Sequence, residues 1–166
     1  IQDVNDVADR LLDTLHTRPR PPMASNSLHA CILSSFASSL CHALNWKQAH
    51  YAVFLCTGAG FDPDRPRDCS LREAVDFAKA HQLLGIMCAA QPLIQVPSLV
   101  GEVKATGLLL ASYGQVNADA RVIQIQEALG VDALLANGYL RYRAGFHMNP
   151  LLHHGSGGEE NEVNGV

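Results

Sequence analysis

The sequence predicts an α/β fold built on a parallel sheet. Five short apolar runs recur along the chain, helical patterns separate them, and the last three runs start near residues 83, 107 and 131, 24 residues apart, a natural strand–helix period. The runs are ACIL (30–33), YAVFLC (51–56), LLGIMC (83–88), GLLLAS (107–112) and VDALLA (131–136). They are continuous rather than alternating, as suits strands buried on both faces.

The helices follow from spacing and punctuation. Val4, Val7, Ala8, Leu11, Leu12 and Leu15 recur at i, i+3, i+4 intervals, which predicts an amphipathic helix over 3–15. The RPRPP segment at 18–22 stops it, because proline lacks an N–H and restricts the residue before it. Ser35 has two readings, an N-cap for a helix over 36–44 or a hydrogen-bond donor to a ligand. Trp46 is expected to cover the end of that helix. Lys47 reads equally as a phosphate-seeking cation or a solvated surface group.

Ser70 and Glu73 predict a capping box, opening a helix with Leu71, Ala74, Val75 and Ala78 on one face up to about His81. Ser98–Ala105 is a shorter helix. Asn117 is expected to cap a helix over 118–129, with Val122, Ile125 and Leu129 inward and Gly130 as a left-handed stop. Each parallel return demands a right-handed crossover. Five such units describe either an open doubly wound sheet or an arc of a (β/α)8 barrel, whose full ring needs about 250 residues.

Composition narrows the function. Apolar residues are 48% and charged residues 17% of the 166, ordinary for a globular domain, here expected over 1–152. The Gly-, Glu- and Asn-rich stretch 153–166 is expected to be a disordered tail. The formal charge is −4, and three Glu in the last twelve residues account for most of it, leaving −1 elsewhere. Nucleic acid is not an expected partner, since the basic clusters amount to Arg18-Pro-Arg20 and Arg141-Tyr-Arg143. No window approaches about 18 uninterrupted apolar residues, so no membrane span is predicted.

Five cysteines without a CxxC pair argue against a zinc ribbon or a disulfide framework, and fit a reducing, intracellular compartment. Cys31, Cys56 and Cys88 lie in or beside apolar runs, where a free thiol is expected to be buried. The chain opens on Ile1 within a helical pattern, and the expectation is a piece with further residues upstream.

In either architecture a site belongs at the C-terminal ends of the strands. Those ends read Ser34-Ser35-Phe36, Thr57-Gly58, Ala89-Ala90, Ser112-Tyr113-Gly114 and Asn137-Gly138. No Asp, Glu or His is among them. Hydroxyls and amides position a ligand, whereas metal-assisted hydrolysis needs carboxylate or imidazole ligands and acid–base work a suitable titratable group. The eight His form no HxH or HxxxH pair, and no metal site is expected from spacing. Gly58-Ala59-Gly60 lacks the rest of a phosphate-loop fingerprint and reads as a flexible loop, continued by the polar stretch Asp62 to Asp68.

SSFASSLCHALNWKQAHYAVFL, SLREAVDFAKAHQLLGIMC, VKATGLLLASYGQVN and ALGVDALLANGYLRY together resemble the C-terminal half of a fungal glycerophosphodiester phosphodiesterase (GP-PDE) domain. The strongest points are Ser35-Phe36, Leu83-Leu84-Gly85-Ile86 and Gly130-Val131-Asp132. The resemblance is greatest to the version joined to SPX and ankyrin-repeat domains in fungal phosphate-pathway cyclin-dependent kinase inhibitors, and the glycerophosphocholine phosphodiesterases share much of it.

This resemblance implies a partial (β/α)8 TIM barrel of the PLC-like phosphodiesterase type, about its last five βα units. It implies a catalytic His-Arg-Gly segment and acidic metal ligands on earlier strands, so no catalytic or metal residue is carried onto this chain. Substrate-rim candidates are Ser35 and Phe36, matching the family's strand-end Ser-Phe, with Tyr113 and Asn117. No cofactor is expected here, and a divalent cation (Mg or Ca) only where the full-length domain is an active enzyme. Implied partners are the N-terminal half of the barrel and, for the regulator type, a cyclin–kinase complex, in the cytoplasm and also the nucleus. Ala136-Asn137 replaces the acidic strand end usual in active members, which leans toward the regulator and against hydrolysis.

Overall fold

In the computed structural model, residues 3–17, 31–60, 70–136 and 139–142 are described. The chain is α/β, with five parallel strands forming a curled half-barrel. The elements run α1 (Val4–Thr17), β1 (Ile32–Ser35), α2 (Ser38–Lys47), β2 (Ala52–Thr57), α3 (Leu71–Ala80), β3 (Gly85–Ala89), α4 (Ala90–Gln95), α5 (Ser98–Ala105), β4 (Leu109–Tyr113), a 3-10 turn (Gln115–Ala118), α6 (Ala120–Leu129), β5 (Ala133–Ala136) and β6 (Tyr139–Tyr142). Spatial order follows chain order from β1 to β6, and β6 alone is antiparallel. The RPRPP segment, the polar loop 62–68 and the tail 153–166 lie outside the described residues.

Each predicted strand is present and starts one to two residues later than expected, with β5 ending at Ala136 as expected. Three elements are absent from the sequence-based expectations: the 3-10 turn, α4 and β6. The six-residue helix α4 is too short for its periodicity to register. The strand β6 follows Asn137-Gly138, a dipeptide that favours tight hairpins between strands but was read as a strand end.

The caps show where local chemistry decided. Ser70 and Glu73 form the reciprocal capping box, with Glu73 N–H to Ser70 Oγ at 3.2 Å and Ser70 N–H to Glu73 Oε2 at 2.7 Å. These bonds favour the ionised form and hold the Glu73 carboxyl below its usual range. Gly130, at φ 97°, ends α6 with Val131 N–H on the Gln126 carbonyl at 3.0 Å, the left-handed stop expected. Two expected caps are corrected. Asp119 caps α6, accepting from Arg121 N–H at 2.8 Å, because the 3-10 turn carries Asn117 into the core before the helix begins. Helix α2 starts at Ser38 after Ala37, without a side-chain cap.

The sheet packs differently on its two sides. Helices cover the convex face, where Val53, Leu55, Ile86, Leu110 and Leu134 join Ala8, Leu12, Leu44, Ala74, Ala78, Leu93 and Val100 in one buried cluster. The concave face gathers Ala52, Phe54, Cys56, Met87, Ala111 and Ala133. Successive strand residues face opposite sides, so two separate apolar sets arise, the concave one mixing small residues with Phe54 and Met87. Gly85 leaves no room for a side chain. A Cβ there would lie 2.3 Å from the Leu109 carbonyl oxygen and 2.6 Å from the Phe54 ring.

At the N-terminal end of the sheet, Asp132 Oδ2 accepts from Lys104 Nζ at 2.5 Å and Leu110 N–H at 2.9 Å. Asp132 is the one buried carboxylate among the described residues. It fastens the start of β5 to β4, which accounts for the Gly-Val-Asp block in packing terms. No helix of the described residues is long and apolar enough to cross a membrane.

Candidate functional site

The C-terminal ends of β1 to β5 form the mouth of the half-barrel. Phe36, 38% exposed, meets Tyr113 edge to face with ring centroids 5.9 Å apart, a favoured aromatic geometry. The Tyr113 hydroxyl donates to the Thr57 carbonyl at 3.3 Å, tying the end of β4 to that of β2. One aromatic wall therefore spans three strand ends, although its two rings are 77 residues apart in sequence.

Most strand-end hydroxyls serve the backbone. Ser35 Oγ accepts from Ala37 N–H at 3.0 Å, so it shapes the turn into α2 and caps no helix. Thr57 is fully buried and its Oγ1 accepts from Ala59 N–H at 3.0 Å. That bond helps hold Ala59 at φ 53° and Gly60 at φ 75°, giving the Gly58-Ala59-Gly60 stretch a defined turn. Ser112 is buried, and its Oγ accepts from Asn117 Nδ2 at 3.1 Å.

Asn117 has moved furthest from its expected role. It is fully buried, donating to Ser112 Oγ and the Leu135 carbonyl, both at 3.1 Å, and accepting from Gln126 Nε2 at 2.8 Å. Its side chain spans the ends of β4 and β5 from beneath the mouth. Of the four rim candidates, Phe36 and Tyr113 come together, Ser35 stands next to Phe36 facing its own backbone, and Asn117 sits below. Sequence gave no signal for this burial, since a mid-turn Asn looks the same exposed or buried.

Two further expectations change. Lys47 pairs with Asp9 of α1 at 2.7 Å, so it serves as a helix-to-helix contact. Trp46 is 83% exposed and does not fold over the end of α2 as expected. Among the thiols, Cys56 and Cys88 are buried as expected, but Cys31 is exposed and Cys41 is buried. The Cys41 thiol donates to the carbonyls of Ser35 and Phe54 at 3.4 and 3.5 Å. Burial, aided by neighbouring Cys56, pushes its pKa up to about 12. It stays protonated near neutrality and is no nucleophile.

The mouth presents aromatic edges, a few hydroxyls and backbone amides. Among the described residues no group of three His, Cys, Asp or Glu side chains could hold a metal ion. The described strand ends supply no carboxylate or imidazole, so the donor set here does not fit a divalent cation at the mouth. Its groups can contact and orient a ligand.

Comparison with known proteins gives the lineage. The chain is 37% identical over 112 residues to the glycerophosphocholine phosphodiesterase gde1 of Schizosaccharomyces pombe, covering 68% of this chain and 10% of that protein. It is 38% identical over 115 residues to GDE1 of Candida albicans, covering 69% of this chain and 10% of that one. The ankyrin repeat protein nuc-2 of Neurospora crassa is 28% identical over 147 residues, with 65% and 14% covered. The chain thus spans about a tenth of the length of these fungal phosphodiesterases. No family model matches it, and no solved structure does. With these relatives and a parallel half-barrel behind them, the chain belongs to the glycerophosphodiester phosphodiesterase domain family.

Proposed function

We propose that this chain is the C-terminal part of a GP-PDE-like barrel in a fungal phosphate-signalling regulator of the cyclin-dependent kinase inhibitor type, and that it is catalytically incomplete by itself. The observation that carries this is the mouth, where an aromatic pair and backbone-satisfied hydroxyls stand without a carboxylate or imidazole among the described residues. Such a wall contributes contact surface to a ligand, and proton transfer and cation binding fall to groups outside it. The ankyrin-repeat relative supports the regulator reading. Partners on this reading are the N-terminal half of the barrel and a cyclin–kinase complex, with action in the cytoplasm and the nucleus.

A second reading, part of an active glycerophosphodiesterase that hydrolyses substrates such as glycerophosphocholine with a Mg or Ca ion, is favoured by the higher identity of the phosphodiesterase relatives. The test is metal-dependent release of glycerol phosphate from glycerophosphocholine, by this chain and by the full-length protein. Neither releases it on the first reading. Chelator-sensitive release by the full-length protein alone establishes the second, and release by this chain overturns both.

A further inference from the structure

At the end of the sheet opposite the mouth, the C-terminal ends of α2 and α3 border a cleft of about 540 Å³. His42 of α2 and His81, just after α3, bring their rings into it with centroids 4.3 Å apart and planes at 61°. Their separation of 39 residues hides the pair from any reading of local spacing.

The backbone around this pair is fixed. Asn45, on α2, donates to the carbonyl of His81 at 3.0 Å and of Gln82 at 3.3 Å, clasping α2 to the residue that carries the second ring. Helix α3 closes by Gln82 N–H on the Lys79 carbonyl and Leu83 N–H on the Ala78 carbonyl, at 3.2 and 2.8 Å. That closure needs a left-handed residue, normally Gly, yet Gln82 holds φ 53°. Phe77 backs the His81 ring at 4.2 Å. Lys47 also lines the cleft, but its ammonium is engaged by Asp9.

We propose that His42 and His81 form a two-imidazole site for a late first-row divalent cation of the Zn²⁺ or Cu²⁺ class, which staples α2 to α3. Imidazole nitrogen selects these ions over the oxygen-seeking Mg²⁺ and Ca²⁺. With metal–nitrogen bonds of about 2.0–2.1 Å, two rings on one tetrahedral ion have centroids roughly 5 Å apart. The pair at 4.3 Å is within about 1 Å of that separation, and binding requires side-chain rotation that turns one nitrogen of each ring toward the shared ion. The C-terminal ends of two helices also favour positive charge. This site is separate from the mouth and independent of the proposed function.

Trp46, the sole tryptophan, lies one helical turn from His42 and reports directly. The experiment uses the chain with His153 and His154 changed to Ala, so that the tail pair is silent. It titrates Zn²⁺ by calorimetry and Cu²⁺ by Trp46 fluorescence. We expect one ion per chain, quenching by Cu²⁺, and affinity weakened roughly tenfold or more by either His42→Ala or His81→Ala, since each breaks the chelate. His42→Gln and His81→Gln, with circular dichroism, separate ligand loss from misfolding. Binding unaltered by a variant at either histidine, or none at millimolar Zn²⁺, overturns the proposal.

Discussion

The convex and concave faces of the sheet are both apolar, yet they are packed from different sources. On the helix side, Val53, Leu55, Ile86, Leu110 and Leu134 interleave with α-helical side chains. The curled side mixes Ala52, Cys56, Ala111 and Ala133 with Phe54 and Met87, and Ile32, Leu109, Tyr113 and Leu135 pack against them. Neither face is polar, so the in-and-out alternation of a half-solvated sheet is absent from these strands.

The sharpest way to break this contrast is at Gly85. Gly85→Ala is expected to cost more than about 3 kcal/mol, because the new methyl meets a backbone carbonyl that cannot turn away. Chemical denaturation reads this, and a loss below about 1 kcal/mol would mean that the concave face has slack. On the other face, Leu110→Ala should cost about 2.5 kcal/mol by leaving a cavity. There the loss comes from unfilled volume, so Leu110→Met should recover most of it.

Next comes Cys41, at the join between α2 and the sheet. Its thiol pKa is raised in the folded chain. Its contribution is therefore intact below the unfolded thiol pKa and is lost as pH rises from there toward about 12, at up to about 1.4 kcal/mol per pH unit. Cys41→Ala should flatten that alkaline limb in a pH series of melts, and Cys31 should be alkylated far ahead of Cys41.

Ser70→Ala removes one half of a capping box and should cost about 1 kcal/mol. Because the Glu73 pKa is lowered on folding, the box acts fully above the ordinary carboxylate range and fades as pH falls through the folded value. Glu73→Gln should remove that acid dependence. The smallest effect is a gain. Gly101, inside α5, has nothing within 4 Å of an added Cβ, and Gly101→Ala should stabilise by about 0.5–1 kcal/mol. The same glycine-to-alanine change thus takes opposite signs on α5 and β3.

The sequence made the sheet legible because burial on both faces leaves uninterrupted apolar runs, and it made α3 legible because Ser70 and Glu73 act over three residues. It hid whatever depends on volume or distant pairing. Gly85 looked like any strand glycine, and Asn117 like a cap, since nothing local reveals that a 3-10 turn carries it inward. The aromatic wall of Phe36 and Tyr113 and the His42–His81 pair each join residues far apart in the chain, so only folding brings them together.

The hairpin of β5 and β6 bears on how a ring could close. An eight-stranded barrel is completed when its last strand hydrogen-bonds to its first. Here the outer edge of β5 is already taken by β6, from Ala133 opposite Tyr142 to Ala136 opposite Tyr139. Hairpin and ring closure compete for one set of amides and carbonyls, so a strand arriving at that edge must first peel β6 away.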